Sequence, residues 1–376
     1  MPTFVIVYDK PSMVYSPGET LSGTLQIALK KQLKVDSISV TFHGEAQTHF
    51  TSYETKFFTG RKRSQESYTG FIGYDGSKIY CDENQIVWSL SECKRYLTRG
   101  TYRRRFEFNI PLKCPPSYKG TYGSIQYYCY AKIDSYPKLG KKTKRFITVF
   151  PKYDLPRHSL PHPEAPIENT EKIGFFYYHH GYVHVKASIK KLGYAIGEAI
   201  DVCLDIANLS TKTIEKLRLR LKQIATYIGF CSYDFIPEQF FEIRTIASVD
   251  KAYVLEPKNS GVFYITTRVP YVTPSFDDCP LIKIRYELCI KVFVKGNTRN
   301  TLRILLPVVI NTVPVQTPDK PLIRQHSSPA LLGLGYCIAK DYCSMQSIYK
   351  CPQYGWSFIH NFTYAHLSAP YLIRIR

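Results

Sequence analysis

Residues 100–127 read GTYRRRFEFNIPLKCPPSYKGTYGSIQY, and this stretch decides the fold. Its first part alternates the apolar residues Phe106, Phe108 and Ile110 with polar ones, and a β-strand places such alternating side chains on opposite faces. Prolines and glycines then interrupt the chain before the alternation resumes near Tyr127. Short strands separated by a proline-rich turn are typical of an antiparallel β-sandwich.

The same two-residue period runs through most of the chain. The clearest further examples lie at residues 25–29, 38–42, 183–189, 217–221 and 282–292. In each of them one face of the strand is apolar and the other is polar, as expected when one face packs and the other meets water. Because no stretch has the spacing of a long amphipathic helix, the sequence predicts an all-β fold.

Two motifs occur twice, in the same order. VYSPGE at 14–19 recurs as GYAIGE at 193–198, and each copy precedes an alternating strand. The proline-serine-aromatic step Pro116-Ser117-Tyr118 recurs at 274–276. We therefore predict two domains built on one plan, with Gly18 and its counterpart in the second copy supplying a turn of positive φ.

The prediction divides the chain into four parts. Residues 1–151 form an N-terminal sandwich, and residues 173–313 form a C-terminal sandwich. Residues 152–172 carry four prolines without alternation, which favours an extended linker. Residues 314–376 lose the regular pattern and are interpreted as an irregular C-terminal tail.

Composition and cysteine content exclude a disordered chain and favour a cytoplasmic protein over a secreted one. The 376 residues are 44% hydrophobic and 21% charged, which excludes wholesale disorder. The eleven cysteines include no Cys-x-x-Cys pair, and the N-terminal stretch lacks the basic head and apolar core of a signal peptide. We therefore expect free thiols in a cytoplasmic protein, with recruitment to the plasma membrane or endosomes as a further expectation.

The repeated motifs carry a family resemblance. The hairpin at 15–23, the block at 100–127 and the C-terminal stretch from Gly193 to Tyr227 together resemble the arrestin superfamily, most closely its arrestin-domain-containing (α-arrestin) branch. The resemblance extends over roughly residues 4–311. It implies two immunoglobulin-like antiparallel β-sandwich domains, joined by a short linker and followed by an irregular tail.

The resemblance also implies a function without catalysis. Such proteins are adaptors that recognise the cytoplasmic segments of membrane-protein cargo and direct its trafficking, endocytosis or ubiquitination. One alternative is a structural coat subunit similar to the arrestin-fold subunit of retromer. Another is a phosphoinositide-binding module driven by the basic N-terminal domain. We expect no nucleic-acid partner, because no nucleic-acid-binding motif is present.

The α-arrestins recruit WW-domain HECT ubiquitin ligases through Pro-Pro-x-Tyr motifs in their tails, which suit WW grooves because polyproline II is already ordered. Here the only full match is Pro115-Pro116-Ser117-Tyr118, inside the N-terminal domain, and we interpret it as structural. The tail offers only the degenerate Pro352-x-Tyr354. Recruitment of a ligase is therefore left open.

Charge points to anionic partners. Fifty basic and thirty acidic residues give a net charge of +20, and residues 1–151 hold 23 of the basic and 12 of the acidic residues. Two runs, Arg61-Lys62-Arg63 and Lys141-Lys142-x-Lys144-Arg145, are candidates for binding acidic cargo or anionic lipid. The alternative for these runs is a solvated surface.

No constellation of residues points to catalysis or to a bound group. The sequence has no phosphate-binding glycine loop, nucleophile elbow or zinc-protease motif. The cysteine and histidine spacings do not match a structural zinc site. We therefore predict a protein that is not an enzyme and has neither a cofactor nor a metal.

Overall fold

The computed structural model describes residues 3–59, 65–89, 96–134, 141–151, 167–175, 178–231, 236–296 and 302–312. Strands dominate, and within these ranges there is no helix, so none that could cross a membrane. The predicted all-β fold of two sandwich domains is confirmed.

Within the described residues, the N-terminal domain contains eleven strands. They are β1 (Thr3–Tyr8), β2 (Val14–Tyr15), β3 (Thr20–Leu29), β4 (Leu33–Lys34), β5 (Ser37–Thr59), β6 (Gln65–Ser89), β7 (Tyr96–Leu97), β8 (Gly100–Asn109), β9 (Tyr118–Lys119), β10 (Gly123–Asp134) and β11 (Lys142–Val149). A three-stranded sheet in the order β1-β3-β8 packs on a larger sheet in the order β6-β5-β10-β11-β2.

The core of this domain lies between its two sheets. The rings of Phe42 on β5 and Phe108 on β8 lie 5.9 Å apart, and both are buried. Burying an aromatic side chain of this size stabilises the fold by about 1.5–3 kcal/mol. The alternation seen in the sequence therefore directs the apolar face of each strand into one shared core.

In the part of the C-terminal domain that the structure describes, there are nine strands. They are β12 (Ile167–Phe175), β13 (Tyr178–Ile189), β14 (Gly193–Ala195), β15 (Ala199–Asn208), β16 (Ile214–Phe230), β17 (Pro237–Leu255), β18 (Asn259–Arg268), β19 (Ile282–Val294) and β20 (Leu302–Asn311). A sheet in the order β12-β13-β15-β18 packs on one in the order β14-β20-β19-β16, with β17 along the other edge of β16.

The large sheets of the two domains join at one point. Phe230 at the end of β16 pairs with Asp75 on β6, so a single sheet runs from β14 in one domain to β2 in the other. The outward side chains of β5, β6, β16 and β19 consequently lie on one continuous surface.

The predicted duplication is confirmed in detail at the two glycine turns. Gly18 has a φ of 79° and Gly197 a φ of 83°. The Gly18 N–H donates to the carbonyl of Ile110, and the Gly197 N–H donates to that of Val269, both at 2.9 Å. Each turn is therefore hydrogen-bonded to the residue that follows the strand before the proline-serine-aromatic step.

The proline-serine-aromatic step is also duplicated. Ser117 Oγ accepts a hydrogen bond from the N–H of Val149, and Ser275 Oγ accepts one from the N–H of Ile310, both at 2.9 Å. In each domain the serine thus pins the last strand of the sandwich. The step has the same structural role in both halves of the chain.

The predicted linker is too long at its C-terminal end. Residues 152–166 lie outside the described residues, but β12 begins at Ile167 and pairs antiparallel with β13. This strand lacks a clear alternation because it lies at the edge of its sheet, with a strand on one side only. Its pairing with β13, and not its own sequence pattern, makes it a strand.

Candidate functional site

The two predicted basic runs differ in what the structure says about them. Arg61, Lys62 and Arg63 lie outside the described residues. Lys141 and Lys142 are exposed at the start of β11 and are accessible to a partner.

Lys144 and Arg145 are tied to the domain itself. Lys144 is also exposed, but its ammonium group lies 3.3 Å from the centre of the Tyr128 ring, and loss of hydration there lowers the pKa of Lys144 to about 8. Arg145 donates a hydrogen bond of 2.6 Å to the carbonyl of Ile6, and its guanidinium lies over the ring of Tyr8. Both side chains therefore contribute to packing as well as to charge.

The internal Pro-Pro-x-Tyr segment is buried. Pro115, Pro116 and Tyr118 all lie inside the protein, and the carbonyl of Pro115 accepts a hydrogen bond of 2.9 Å from Tyr127. The Tyr118 hydroxyl lies 3.0 Å from the Tyr227 hydroxyl of the other domain, and burial raises the pKa of Tyr118. A WW groove cannot reach this segment in the folded chain. Pro352 and Tyr354 of the degenerate motif lie outside the described residues.

Tyr227 leads into a polar network between the domains. Its hydroxyl donates to Glu242 at 2.8 Å, and Thr121 of the N-terminal domain donates to the same carboxylate at 2.7 Å. Arg244 pairs with Glu242 and also donates to Thr121 at 2.6 Å. Burial acts to raise the pKa of Glu242, but the hydrogen bonds from Thr121, Arg244 and Tyr227 outweigh it and lower that pKa. The network thus holds β17 against the loop that precedes β10.

A surface that can bind a partner lies elsewhere, on the outward face of the large C-terminal sheet. We call it the basic sheet face. It is formed by eight lysine and arginine side chains that alternate with buried residues on three strands: Lys216, Arg218, Arg220 and Lys222 on β16, Lys283, Arg285 and Lys291 on β19, and Arg303 on β20.

Strand register places three of these cations in one row. Arg218 lies opposite Lys291, and Lys291 lies opposite Arg303. Like charges directly opposite each other on a sheet destabilise it. Asp250 lies opposite Arg218 in the same row, and Glu287 lies 3.7 Å from Arg303, so Lys291 is the cation of this row that has no carboxylate nearby among the described residues.

Two carboxylates on the same face neutralise part of this charge. Asp250 on β17 accepts two hydrogen bonds from Arg218, at 2.7 and 2.8 Å, and one from Lys216. These hydrogen bonds hold the pKa of Asp250 well below its usual range. Glu287 lies 3.7 Å from both Lys222 and Arg303.

Of the remaining cations, Arg285 pairs with Asp277 at 3.1 Å, whereas the others have no carboxylate partner among the described residues. Within the described ranges, neither Lys283 nor Lys291 has a carboxylate within 4.0 Å. The Nε of Arg220 is buried and, in the same part of the chain, makes no hydrogen bond. A buried donor without an acceptor costs about 1–3 kcal/mol, so the Nε of Arg220 is a local cost to the stability of this face.

The basic sheet face was missed at the sequence level, although its signal is visible. The alternation of Leu217, Leu219 and Leu221 with basic residues shows that one strand has a charged outer face. A single strand does not show which other strands flank it. Only the pairing of β16 with β19 reveals that cations from separate segments meet.

Comparison with known proteins fits this architecture. The Arrestin (or S-antigen), N-terminal domain, family matches residues 4–156, and the Arrestin (or S-antigen), C-terminal domain, family matches residues 179–315. Each match falls on one of the two sandwich domains described above.

Three relatives have the same kind of name. Arrestin domain-containing protein 17 of Caenorhabditis elegans is 26% identical over 314 residues, which are 83% of this chain and 70% of that protein. Arrestin domain-containing protein 1 of Mus musculus is 27% identical over 335 residues, 88% of this chain and 69% of that protein. Arrestin domain-containing protein 4 of Homo sapiens is 29% identical over 222 residues, 58% of this chain and 50% of that protein. The two family matches and these relatives together show that the chain belongs to the arrestin family, in its arrestin-domain-containing branch.

Proposed function

We propose that this protein is a non-catalytic adaptor that docks on anionic membrane surfaces through the basic sheet face and there engages the cytoplasmic segments of membrane proteins. Membership of the arrestin family supports the adaptor role. The observation that carries the membrane proposal is the set of eight cations on one sheet face, of which Lys283 and Lys291 have no carboxylate within 4.0 Å among the described residues.

A sheet face suits a lipid surface because both are broad and gently curved. Cations near an anionic leaflet contribute about 1 kcal/mol each, so several acting together give reversible docking. The attraction is screened by salt, which makes ionic strength a direct test of its electrostatic origin.

The experiment measures sedimentation of the full chain with vesicles that contain 20–30% phosphatidylserine (about that fraction gives a cytoplasmic-type surface potential). The variant Lys283→Glu with Lys291→Glu reverses two cations that have no carboxylate nearby. The matched control, Lys30→Glu with Lys31→Glu, makes the same change in net charge at two exposed lysines of the N-terminal domain.

We expect the first variant to lose about tenfold or more in membrane affinity and the control to stay close to the unmodified chain. Equal losses in both variants would mean that net charge alone drives the association. No loss in either variant would remove the membrane role of this face.

A further inference from the structure

The outward face of β16 changes its chemistry halfway along the strand. The first half, residues 216–222, carries four cations of the basic sheet face. The second half continues the same alternation with Ile224, Thr226, Ile228 and Phe230, and the Phe230 side chain is 41% exposed. A basic region is therefore followed by an uncharged one on the same side of the sheet.

Strand β17 widens this uncharged region. Phe241 lies opposite Thr226 and Ile243 lies opposite Ile224, and residues directly opposite each other share one face of a sheet. The Phe241 side chain is 57% exposed and that of Ile243 is 54% exposed. On the other side of β16, Thr226 lies opposite Lys283 of the basic sheet face. The exposed apolar side chains are therefore only two strands away from that cation.

The N-terminal domain continues the same face. Within the described ranges, β10 pairs with β5 only as far as Thr48 and β16 pairs with β6 only at Asp75, so the rest of β5 and β6 forms a two-stranded ribbon. Tyr53 and Phe71 lie opposite each other on this ribbon, 60% and 71% exposed, with ring centres 5.2 Å apart. Phe71 lies four residues before Asp75, the partner of Phe230, and an even spacing keeps the same face of a strand.

Five exposed side chains from both domains thus share one face, and together we call them the apolar patch: Tyr53, Phe71, Phe230, Phe241 and Ile243. The other outward positions of the ribbon, at 51, 55, 67, 69 and 73, are threonine, serine or glycine. The carboxylate between the two parts of the patch belongs to Asp75, which pairs with His49 at 2.7 Å. Glu238 and Glu242 alternate with the patch residues of β17 and lie on the opposite face.

A surface with one basic and one apolar region suits the interface of a bilayer. Aromatic side chains concentrate at the level of the lipid headgroups, and proteins that lie on membranes combine apolar and basic surface in this way. A second copy of the chain would bring further cations against the basic sheet face. Residues 314–376 hold six basic and two acidic residues, so their charge is unfavourable as well. A leaflet of anionic lipid complements both regions at once.

We propose that the apolar patch inserts into the headgroup region of an anionic membrane while the basic sheet face lies against the lipid phosphates. The inference rests on the proposed membrane docking and adds to it an apolar contact that extends across both domains. Salt screens the attraction between charges but does not weaken the burial of apolar surface. The two contributions can therefore be measured separately.

The first experiment measures sedimentation of the full chain with vesicles of phosphatidylcholine and phosphatidylserine, at about 0.1 M and about 1 M salt, where the Debye length is about 10 Å and about 3 Å. Phe71→Ser with Phe241→Ser removes one ring from each domain without changing charge. The matched control, Val262→Ser with Tyr264→Ser, changes two side chains of β18 that are 54% and 64% exposed and belong to the other sheet of the C-terminal domain.

We expect the unmodified chain and the control to keep measurable binding at the higher salt concentration. The variant of the apolar patch is expected to lose about tenfold or more in membrane affinity there, because the apolar contact is the part of the interaction that salt leaves intact.

The second experiment measures the depth of single side chains with Phe71→Trp and Phe241→Trp, each in a chain that also carries Trp356→Phe. The buried Trp88 is then the only other indole. Lipids brominated on the acyl chain quench an indole that enters the bilayer. We expect quenching and a blue shift of the emission at both positions of the patch, and neither for Tyr264→Trp on β18.

Three outcomes would overturn the proposal. Complete loss of binding by the unmodified chain at the higher salt concentration would show that charge alone holds it on the membrane. Unquenched indoles at both patch positions in the bound chain would show that the patch stays in water. A blue-shifted indole before vesicles are added would show that the chain itself already covers the patch.

Failure of the membrane-docking proposal gives a different result. If Lys283→Glu with Lys291→Glu left binding at the lower salt concentration unchanged, the cations would not act, whereas quenching at the patch positions would still report insertion. Quenching that is equally strong for Tyr264→Trp would contradict the orientation that both proposals require.

Discussion

The hydroxyl groups of Tyr118 and Tyr227 lie 3.0 Å apart, one from each domain, in a buried contact between segments 109 residues apart in the sequence. Tyr227 also donates to Glu242, whereas Tyr118 makes no other side-chain hydrogen bond within the described residues. In this chain of hydrogen bonds, Tyr227 therefore has two side-chain partners and Tyr118 has one.

We expect Tyr227→Phe to destabilise the protein more than Tyr118→Phe. Losing the Tyr227 hydroxyl leaves both the Tyr118 hydroxyl and a lone pair of Glu242 without a partner, at a cost of about 1–3 kcal/mol. Losing the Tyr118 hydroxyl leaves the bond to Glu242 intact. Urea unfolding of both variants measures the difference, with the exposed Tyr53→Phe as control. A larger effect of Tyr118→Phe would contradict this order.

The network also predicts a contribution of Glu242 to the pH dependence of stability. Its pKa is lower in the folded chain than in the unfolded one, so its stabilising effect is present above the unfolded pKa of about 4.3 and is lost as pH falls through the folded value. Unfolding of the unmodified chain and of Glu242→Gln between about pH 6 and 3 gives the test. The variant is expected to lose less stability on acidification. Parallel curves would show that Glu242 does not contribute.

Replacing either of the duplicated serines with alanine should destabilise the protein, but to different extents. Ser117→Ala leaves the N–H of Val149 without its acceptor, and Ser275→Ala does the same to the N–H of Ile310. Ser117 is buried, whereas Ser275 is partly accessible to water that can replace the bond. We expect a loss of about 1–3 kcal/mol for Ser117→Ala and a smaller loss for Ser275→Ala, measured by thermal unfolding. The reverse order would show that burial does not set the difference.

Replacing the glycine of either turn with alanine should also reduce stability, again by different amounts. Alanine at either position adopts an unfavourable positive φ, at a cost of about 1 kcal/mol or more. A Cβ on Gly197 meets nothing within 4 Å, but a Cβ on Gly18 would lie 2.5 Å from Leu112 Cδ2. Because Leu112 is an exposed and movable side chain, we expect Gly18→Ala to cost only slightly more than Gly197→Ala in denaturant unfolding. Gly197→Asn should recover part of the loss, since asparagine tolerates this conformation.

The buried Pro-Pro-x-Tyr segment predicts no role in WW-domain binding. Calorimetry with a panel of WW domains should give the same affinities for the unmodified chain and for Tyr118→Phe, because Tyr118 faces Tyr227 and not the solvent. Tyr354→Ala tests the degenerate tail motif in the same assay. Weaker binding by a folded Tyr118→Phe variant would show that the internal segment opens to reach its partner.

Much of the architecture could be predicted from local pattern. Alternation such as Phe106-x-Phe108-x-Ile110 identifies a strand and its buried face, and the repeated motifs identify two related domains. The start of β12 could not be predicted, because an edge strand depends on its neighbour β13 and its own side chains do not alternate.

The candidate surfaces were harder to predict for the same reason. The runs of adjacent cations at 61–63 and 141–145 stand out in the sequence, yet Lys144 and Arg145 prove to be packed against Tyr128 and Tyr8. The row from Arg218 to Arg303 depends on the pairing of three strands distant in sequence. Cations that are brought together by strand pairing are not adjacent in the sequence, so the sequence alone does not reveal the cluster.

The pairing of an early strand with the last strand of each domain has a consequence for synthesis on the ribosome. Val14 pairs with Thr148, and Gly193 pairs with Val309, so each sandwich joins its opening segment to a strand made more than a hundred residues later. Contacts so distant along the chain slow folding, and neither domain can close until its last strand has been translated. At about 5–20 residues per second, the incomplete N-terminal half stays open for several seconds, exposing apolar surface that chaperones can hold.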